Sequence, residues 1–138
     1  MKIRPARDGD ALPMARVFVD TFIDGNVGIM SEEWIAKRRQ DWPYEMFAQN
    51  WQKTIVDIAN GGAPLSCIYV AEDETGEVVG FALTCPSKDE GDSTGDFTVV
   101  AELDLLYVNI SHHRKGIGRA LVQATAAHLA PLGVTRLH

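Results

Sequence analysis

Residues 106–125 read LYVNISHHRKGIGRALVQAT, and this stretch contains the change of structure on which the fold depends. The apolar run that ends at Val108 has the composition of a strand, and an apolar helical pattern begins at Ile117. A polar, basic loop lies between them, with Gly116 and Gly118 one residue apart. This order places the free N–H groups of a helix start at the end of a strand.

The residues of this loop predict a phosphate site. N–H groups at a helix start point outward with partial positive charge, and Gly116 and Gly118 have no Cβ to block an anion. No acid lies within 112–119, although the whole chain has a net charge of −6. The basic residues there are His112, His113, Arg114, Lys115 and Arg119. The alternative is a tight loop whose charges are merely solvated.

Two common phosphate-binding motifs do not fit the loop. A P-loop requires Gly-Lys-Ser/Thr after four spacer residues, and this combination is absent from the sequence. A dinucleotide-binding fingerprint requires glycine or alanine at position 121, which is Leu121, and belongs to a parallel βαβ unit. A phosphate at this loop therefore implies a different fold.

Length and composition predict one globular domain over residues 1–138. The sequence is 46% hydrophobic and 23% charged, and no apolar run approaches the roughly 18 residues of a membrane span. We expect a cytoplasmic location and no membrane partner. The acidic balance disfavours general nucleic-acid binding. Neither the four histidines nor Cys67 and Cys85 have metal-ligand spacing, so no metal site is expected.

Hydrophobic periodicity predicts an α/β (α+β) fold with a mainly antiparallel sheet flanked by helices. A short strand at the start precedes a helix that ends before Gly25, and Ser31 and Pro43 begin further helical segments. Two apolar runs flanking DETGE (73–77) then predict an antiparallel hairpin. The remaining segments are a polar loop (88–96), a long strand (97–110), a helix (116–133) and a final strand (134–138).

The strand, loop and helix of 106–125 resemble the acyl-CoA-binding motif of the GNAT N-acetyltransferase superfamily. That motif has a strand ending Leu-x-Val, then Gln/Arg-x-x-Gly-x-Gly/Ala opening a helix, and His113 stands at its Gln/Arg position. Residues 25–34 (GNVGIMSEEW) resemble the helix connector of small members. The resemblance implies a GNAT-like fold over all 138 residues, with the C-terminal part of the family's fold absent after 134–138.

The resemblance also implies an acetyl-CoA-dependent N-acetyltransferase with an amine acceptor that is a small molecule or a peptide. A homodimer is left open by the exposed edge of the final strand. Backbone amides of the long strand, including that of Ile110, would hold the acetyl carbonyl and the pantetheine arm. The cofactor-binding residues implied are Leu106, Tyr107, Val108, His113, Arg114, Lys115, Gly116, Ile117, Gly118 and Arg119.

The catalytic candidates lie on the long strand. Glu102 is the first candidate for the base and Asp104 the second; two residues apart on a regular strand, they are expected on one face. A neighbouring carboxylate would raise the pKa of one of them. Tyr107 is a candidate donor of a proton to the leaving thiolate, or a pocket wall. The residues expected to line the acceptor site are Phe22, Trp34, Tyr44 and Phe47.

Two alternatives remain at this point. An acyl-CoA-binding sensor would have the same glycine loop without turnover. A general α/β interaction domain would use the loop only as a tight turn.

Overall fold

A computed structural model describes residues 1–62, 66–86, 99–112, 115–132 and 134–137. Five strands and four α-helices lie in these ranges. In chain order they are β1 (Lys2–Pro5), α1 (Ala11–Asp24), α2 (Glu32–Asp41), α3 (Tyr44–Ala59), β2 (Cys67–Glu72), β3 (Val78–Pro86), β4 (Val99–Val108), α4 (Ile117–Leu129) and β5 (Val134–Leu137).

The five strands form one sheet in the order β1-β2-β3-β4-β5. Strands β1 to β4 pair antiparallel, and β5 pairs parallel to β4. The hairpin of β2 and β3 turns at Asp73, whose Oδ1 accepts hydrogen bonds from the backbone N–H groups of Thr75 and Glu77. The predicted fold class, a mainly antiparallel sheet with helices beside it, is confirmed.

One face of the sheet is covered by α1 and α3. Met14 and Val17 on α1, with Trp51 on α3, join Phe81 and Leu83 of β3 in one buried cluster. The apolar residues of α1 recur at helical spacing, which is why a single side of that helix faces the sheet. Tyr107 of β4 packs against this cluster and is only partly buried.

Helix α4 covers the other face of the sheet and approaches it very closely at Gly80. Ile117 and Leu121 of α4 pack against Val79 and Ala82 of β3. A Cβ at position 80 would lie 3.1 Å from the carbonyl oxygen of Tyr107 and 3.4 Å from Cδ1 of Leu121. The absence of a side chain at Gly80 therefore allows α4 to lie against the end of β4.

A β-bulge in β4 changes the faces on which its side chains lie. Leu105 pairs with Leu83 and Leu103 pairs with Thr84, so Asp104 is the additional residue between them. Leu103 packs against the α4 cluster and Leu105 against the α1 cluster, although they are two residues apart. The expectation that Glu102 and Asp104 share a face assumed a regular strand, and this alternation does not continue through the bulge.

The helix starts predicted at Ser31 and Pro43 are confirmed, and the start of α1 is built differently. The Ser31 side chain accepts a hydrogen bond from the N–H of Trp34, and α3 follows directly after Pro43. Asp10 precedes α1, but its carboxylate makes no capping hydrogen bond to that helix. Instead it accepts from Arg4 and from the backbone N–H of Arg7, because a buried guanidinium competes for the same oxygens.

A buried ion cluster joins β1, β2 and the start of α1. Arg4 donates to Asp10 at 2.7 Å and 3.0 Å and to Glu72 at 2.9 Å. Burial by itself would raise the pKa of Asp10, but the hydrogen bonds from Arg4 and Arg7 hold that pKa below its ordinary value. The pKa of Arg4 is raised, chiefly by its hydrogen bond to Asp10. The cluster therefore fixes the edge strand to the helical layer.

Several predicted segments lie outside the described residues. The polar loop at 88–96, the first two residues of the long strand and the helix stop at Gly133 belong to them. In the part of the chain that is described, no helix has the length and apolar character needed to cross a membrane.

The contact at Gly80 predicts that Gly80→Ala lowers the free energy of unfolding by about 1–3 kcal/mol, because a backbone carbonyl cannot move away from the added methyl group. Gly62→Ala is the matched control, since a Cβ at that exposed position meets only Asp57 O at 3.4 Å. Urea denaturation measures both. Equal stability of the two variants would show that α4 tolerates a side chain at position 80.

The ion cluster predicts a stability that decreases in acid. Since the pKa of Asp10 is lowered in the folded state, its contribution is present above the unfolded-state pKa of about 4 and disappears as the pH falls through the folded-state value. At pH 7, Asp10→Asn is expected to cost about 3 kcal/mol, because it leaves Arg4 without its main partner.

Denaturation of the wild type, Asp10→Asn and the exposed control Asp24→Asn at pH 7 and pH 3 tests this expectation. The difference between wild type and Asp10→Asn should shrink at pH 3, while Asp24→Asn follows the wild type. A constant difference at both pH values would contradict the assigned role of Asp10.

Candidate functional site

The N-terminus of α4 has free backbone donors at an exposed corner. Gly116 precedes the helix with φ 75° and ψ 11°, a left-handed conformation that glycine adopts without steric cost. The N–H of Ala120 donates to the carbonyl of Gly116, so the N–H groups of Ile117, Gly118 and Arg119 lie ahead of the first intrahelical hydrogen bond. Three donors therefore share one helix end.

The space in front of these donors is open and cationic. A Cβ at Gly118 would meet no atom closer than 4.0 Å, where Cδ2 of Leu106 lies. The side chains of Lys115 and Arg119 are exposed on either side of Gly118, in a chain of net charge −6. This geometry can hold a phosphate or diphosphate group. His113 and Arg114, also predicted for this site, lie outside the described residues.

The segment before α4 is fixed to the sheet by Asn109. Its N–H donates to the carbonyl of Val79 at 2.7 Å. Its side-chain Oδ1 accepts from the N–H of Ser111 at 3.1 Å and from the hydroxyl of Ser111 at 3.0 Å. Residues Ile110–His112 then form a 3₁₀ turn. These hydrogen bonds hold residues 109–111 against the start of β3.

Among the described residues, one side of β4 has no strand partner beyond its first residues. Within the same ranges, β5 pairs with β4 through Val99, Val100 and Ala101 alone. In antiparallel pairing, the N–H groups of successive β4 residues point alternately toward β3 and away from it. The N–H of Asn109 points toward β3, because it donates to the carbonyl of Val79. By this alternation the N–H of Leu106 points away from β3. An extended ligand could accept a hydrogen bond at this edge and cover the Leu106 side chain, which is 38% exposed.

Glu102 and Asp104 lie on the same strand, at its bulge. The backbone of Glu102 pairs with Cys85, and Asp104 is the extra residue opposite Leu83 and Thr84. Both backbone positions therefore lie just after the part of β4 that pairs with β5. The bulge, which local sequence does not reveal, gives these two positions different relations to the sheet.

An aromatic cluster lies on the α1 side of β4. The ring centroids of Phe18 and Tyr107 are 4.9 Å apart, and Phe18 also stacks on Trp42 at 6.0 Å. Phe22 lies 4.9 Å from Trp42 and 6.0 Å from Trp34. All five rings are only partly buried. We call these residues and Phe47 the aromatic wall, since they run from Tyr107 to helix α2.

The structure brings three of the four predicted acceptor residues together. Phe22, Trp34 and Phe47 belong to the aromatic wall, with Phe47 5.5 Å from Trp42. Tyr44 makes a different contact: its hydroxyl donates to Asp20 at 2.6 Å. This hydrogen bond, with burial, raises the pKa of Tyr44.

Sequence reasoning missed Phe18 and Arg38, and it took Trp42 only as a residue of the core or of a groove wall. Phe18 connects Tyr107 to the helices, and Trp42 contacts three other rings of the wall. The spacing contained the signal for all three, because Phe18 and Phe22 are four residues apart, as are Trp34, Arg38 and Trp42 in and just after α2. Helical neighbours at this spacing form one surface.

The chain matches the family model of an acetyltransferase (GNAT) domain over residues 64–138, which is more than half of its length. No curated protein matches it. The matched range contains β2, β3, β4 and α4. It also contains the glycine corner, our name for Gly116 and the first turn of α4 with Gly118.

Solved structures share the fold at low sequence identity. A PaiA N-acetyltransferase from Thermoplasma acidophilum in complex with coenzyme A is 20% identical, with a TM-score of 0.69 over 96% of this chain and 74% of that one. A glucosamine-6-phosphate N-acetyltransferase from Arabidopsis thaliana is 16% identical, with a TM-score of 0.61 over 99% of this chain and 79% of that one.

A ribosomal-protein-alanine N-acetyltransferase from Brucella melitensis biovar Abortus 2308 is 18% identical, with a TM-score of 0.62 over 99% of this chain and 78% of that one. The names of the last two structures state unrelated acceptors, an amino-sugar phosphate and a protein. The shared fold therefore leaves the acceptor of this chain open.

Proposed function

The chain belongs to the GNAT acetyltransferase family, and we propose on that basis that it transfers the acetyl group of acetyl-CoA to a primary amine. The observation that carries the proposal is the glycine corner, where the three leading N–H groups of α4 lie beside the open edge of β4. A diphosphate followed by a long, extended arm is the ligand shape that uses both features.

The residues present fit coenzyme A. The open space at Gly118 admits a diphosphate to the amides of α4, and Lys115 and Arg119 add positive charge. The exposed Leu106 side chain offers an apolar surface to the pantetheine arm, and its outward N–H offers a donor. Acetyl-CoA supplies the activated thioester when bound.

The reaction forms a C–N bond between the acceptor nitrogen and the acetyl carbon and breaks the C–S bond, releasing the CoA thiol. The nitrogen must lose a proton, and we assign its acceptance to Glu102, with Asp104 as the second candidate. Outward N–H groups of β4 stabilise the carbonyl oxygen as negative charge develops on it. We assign protonation of the leaving thiolate to Tyr107, whose partly buried ring contacts Phe18 in the aromatic wall.

We assign the reaction to the cytoplasm. Within the described residues Cys67 and Cys85 form no disulfide, and thiols suit a reducing compartment. Burial raises the pKa of the Cys67 thiol, which keeps it protonated and unreactive.

The glycine corner predicts that Gly118→Asp raises the Kd for CoA at least tenfold, because the new carboxylate occupies the donors that a phosphate would use. Gly118→Asn is the matched control, with the same shape and no charge, and should weaken binding much less. Isothermal titration calorimetry measures both variants. A wild-type Kd in Gly118→Asp would contradict the placement of the diphosphate.

The assignment of the base predicts that Glu102→Gln lowers kcat about a hundredfold, since no carboxylate then accepts the proton. The Kd for CoA should stay within twofold. Thiol release from acetyl-CoA is followed from pH 6 to 9 with a panel of amines, and Asp104→Asn is the parallel variant.

A loss confined to Asp104→Asn would move the role of base to that residue. CoA binding without thiol release for any amine would contradict the enzymatic proposal and favour a sensor.

A further inference from the structure

The guanidinium of Arg38, on helix α2, contacts two rings of the aromatic wall. The guanidinium carbon lies 5.4 Å from the ring centroid of Trp34 and 5.6 Å from that of Trp42. Trp34 lies four positions before Arg38 on α2, and Trp42, the residue that follows the end of α2, lies four positions after it. Cation–π attraction stabilises this arrangement.

Within the described part of the chain, Arg38 forms no ion pair with an acidic side chain. The ion pairs found there all involve Arg4. Within the same residues, Nε of Arg38 is buried and has no hydrogen-bond acceptor. Arg39, the next residue, is exposed to solvent by contrast. Among the described residues, the guanidinium of Arg38 is therefore held by indole rings and not by a carboxylate.

Contact with two indole rings restricts the position of the Arg38 guanidinium, which suits it to binding an oxyanion. A guanidinium is planar and presents its N–H groups as a rigid fork that matches two oxygens of a carboxylate or phosphate. Because Nε is buried, the two Nη groups are the donors left to bind an oxyanion. The side-chain entropy lost on binding an oxyanion is also smaller, because the rotamer is already fixed.

The position of Arg38 connects it to the proposed reaction. Trp42 touches Phe18, and Phe18 touches Tyr107 beside the open edge of β4. The rings between them are partly buried and contact one another in succession. A molecule lying along these rings would have one end near the acetyl group and the other at Arg38.

We propose that Arg38 binds an oxyanion of the acceptor, so that the preferred substrate is an amine that carries a carboxylate or a phosphate at its far end. This inference rests on the proposed acetyltransferase function. It assigns Arg38 to specificity and gives it no part in the chemistry, so its effect belongs to acceptor binding and kcat/KM. The rings of the wall bind the apolar segment between the two polar ends of the acceptor.

A set of matched amines tests the assignment. The compounds are ω-aminoalkanoates of four to eight carbons, the corresponding aminoalkyl phosphates and the neutral ω-aminoalkanamides. Binding to the CoA-loaded protein is measured by isothermal titration calorimetry, which requires no turnover. Thiol release from acetyl-CoA then gives kcat/KM for the same compounds. The carboxylate and phosphate arms distinguish the two sources of the oxyanion.

The wild type should bind at least one anionic series about tenfold more tightly than the amides, and kcat/KM should follow. Arg38→Gln should remove this preference and leave the amides within twofold. Arg38→Lys should retain part of it, because the charge remains without the fork. Arg39→Gln is the matched control on the same helix and should behave as the wild type. Thermal denaturation of each variant verifies that α2 is intact.

Equal affinity of the wild type for anions and amides, or an unchanged preference in Arg38→Gln, would overturn the assignment. A parallel loss for anions and amides would show that Arg38 only supports α2. An anion preference that depends on Arg38 without any thiol release would support the oxyanion site and contradict the proposed enzymatic function. The two proposals therefore fail through different measurements.

Discussion

The close approach of α4 to the sheet at Gly80 is the constraint on which the rest of the site depends. A carbonyl of β4 and a leucine of α4 both lie near the position that a Cβ would occupy there. Because that Cβ is absent, the helix packs directly on β3 and its first turn lies beside the end of β4. Asn109 completes the arrangement by tying the connecting segment to Val79. The donors of α4 and the open strand edge are neighbours for this reason.

The bulge divides β4 into two parts that have different neighbours. Before it, β4 pairs on both sides, with β3 and with the start of β5. After it, Leu105 and Tyr107 face the aromatic wall, while Leu106 lies near Gly118. The cofactor proposed for one face and the acceptor proposed for the other therefore meet along the same few residues. The acids Glu102 and Asp104 lie where the two environments begin.

The composition of the two faces suits these different ligands. The glycine corner is cationic and polar, which favours a diphosphate in a chain that is acidic overall. The aromatic wall offers a large apolar surface with one fixed guanidinium, that of Arg38. Helix α2 contains no buried residue and is held to the body through Trp34 and the adjacent Trp42. The charged side chains of α2 therefore do not fill the core and are available to bind the proposed acceptor.

The sequence by itself determined the order of the elements, the fold class and the glycine corner, because periodicity, turn residues and helix starts are local properties of the chain. It also indicated that Phe22, Trp34 and Phe47 lie near one another, since large aromatic residues in an amphipathic pattern pack on an apolar surface. Only the tertiary structure decided the bulge at Asp104 and the contact chain from Tyr107 to Arg38. Both arise from pairings between segments distant in sequence, where register and packing override local pattern.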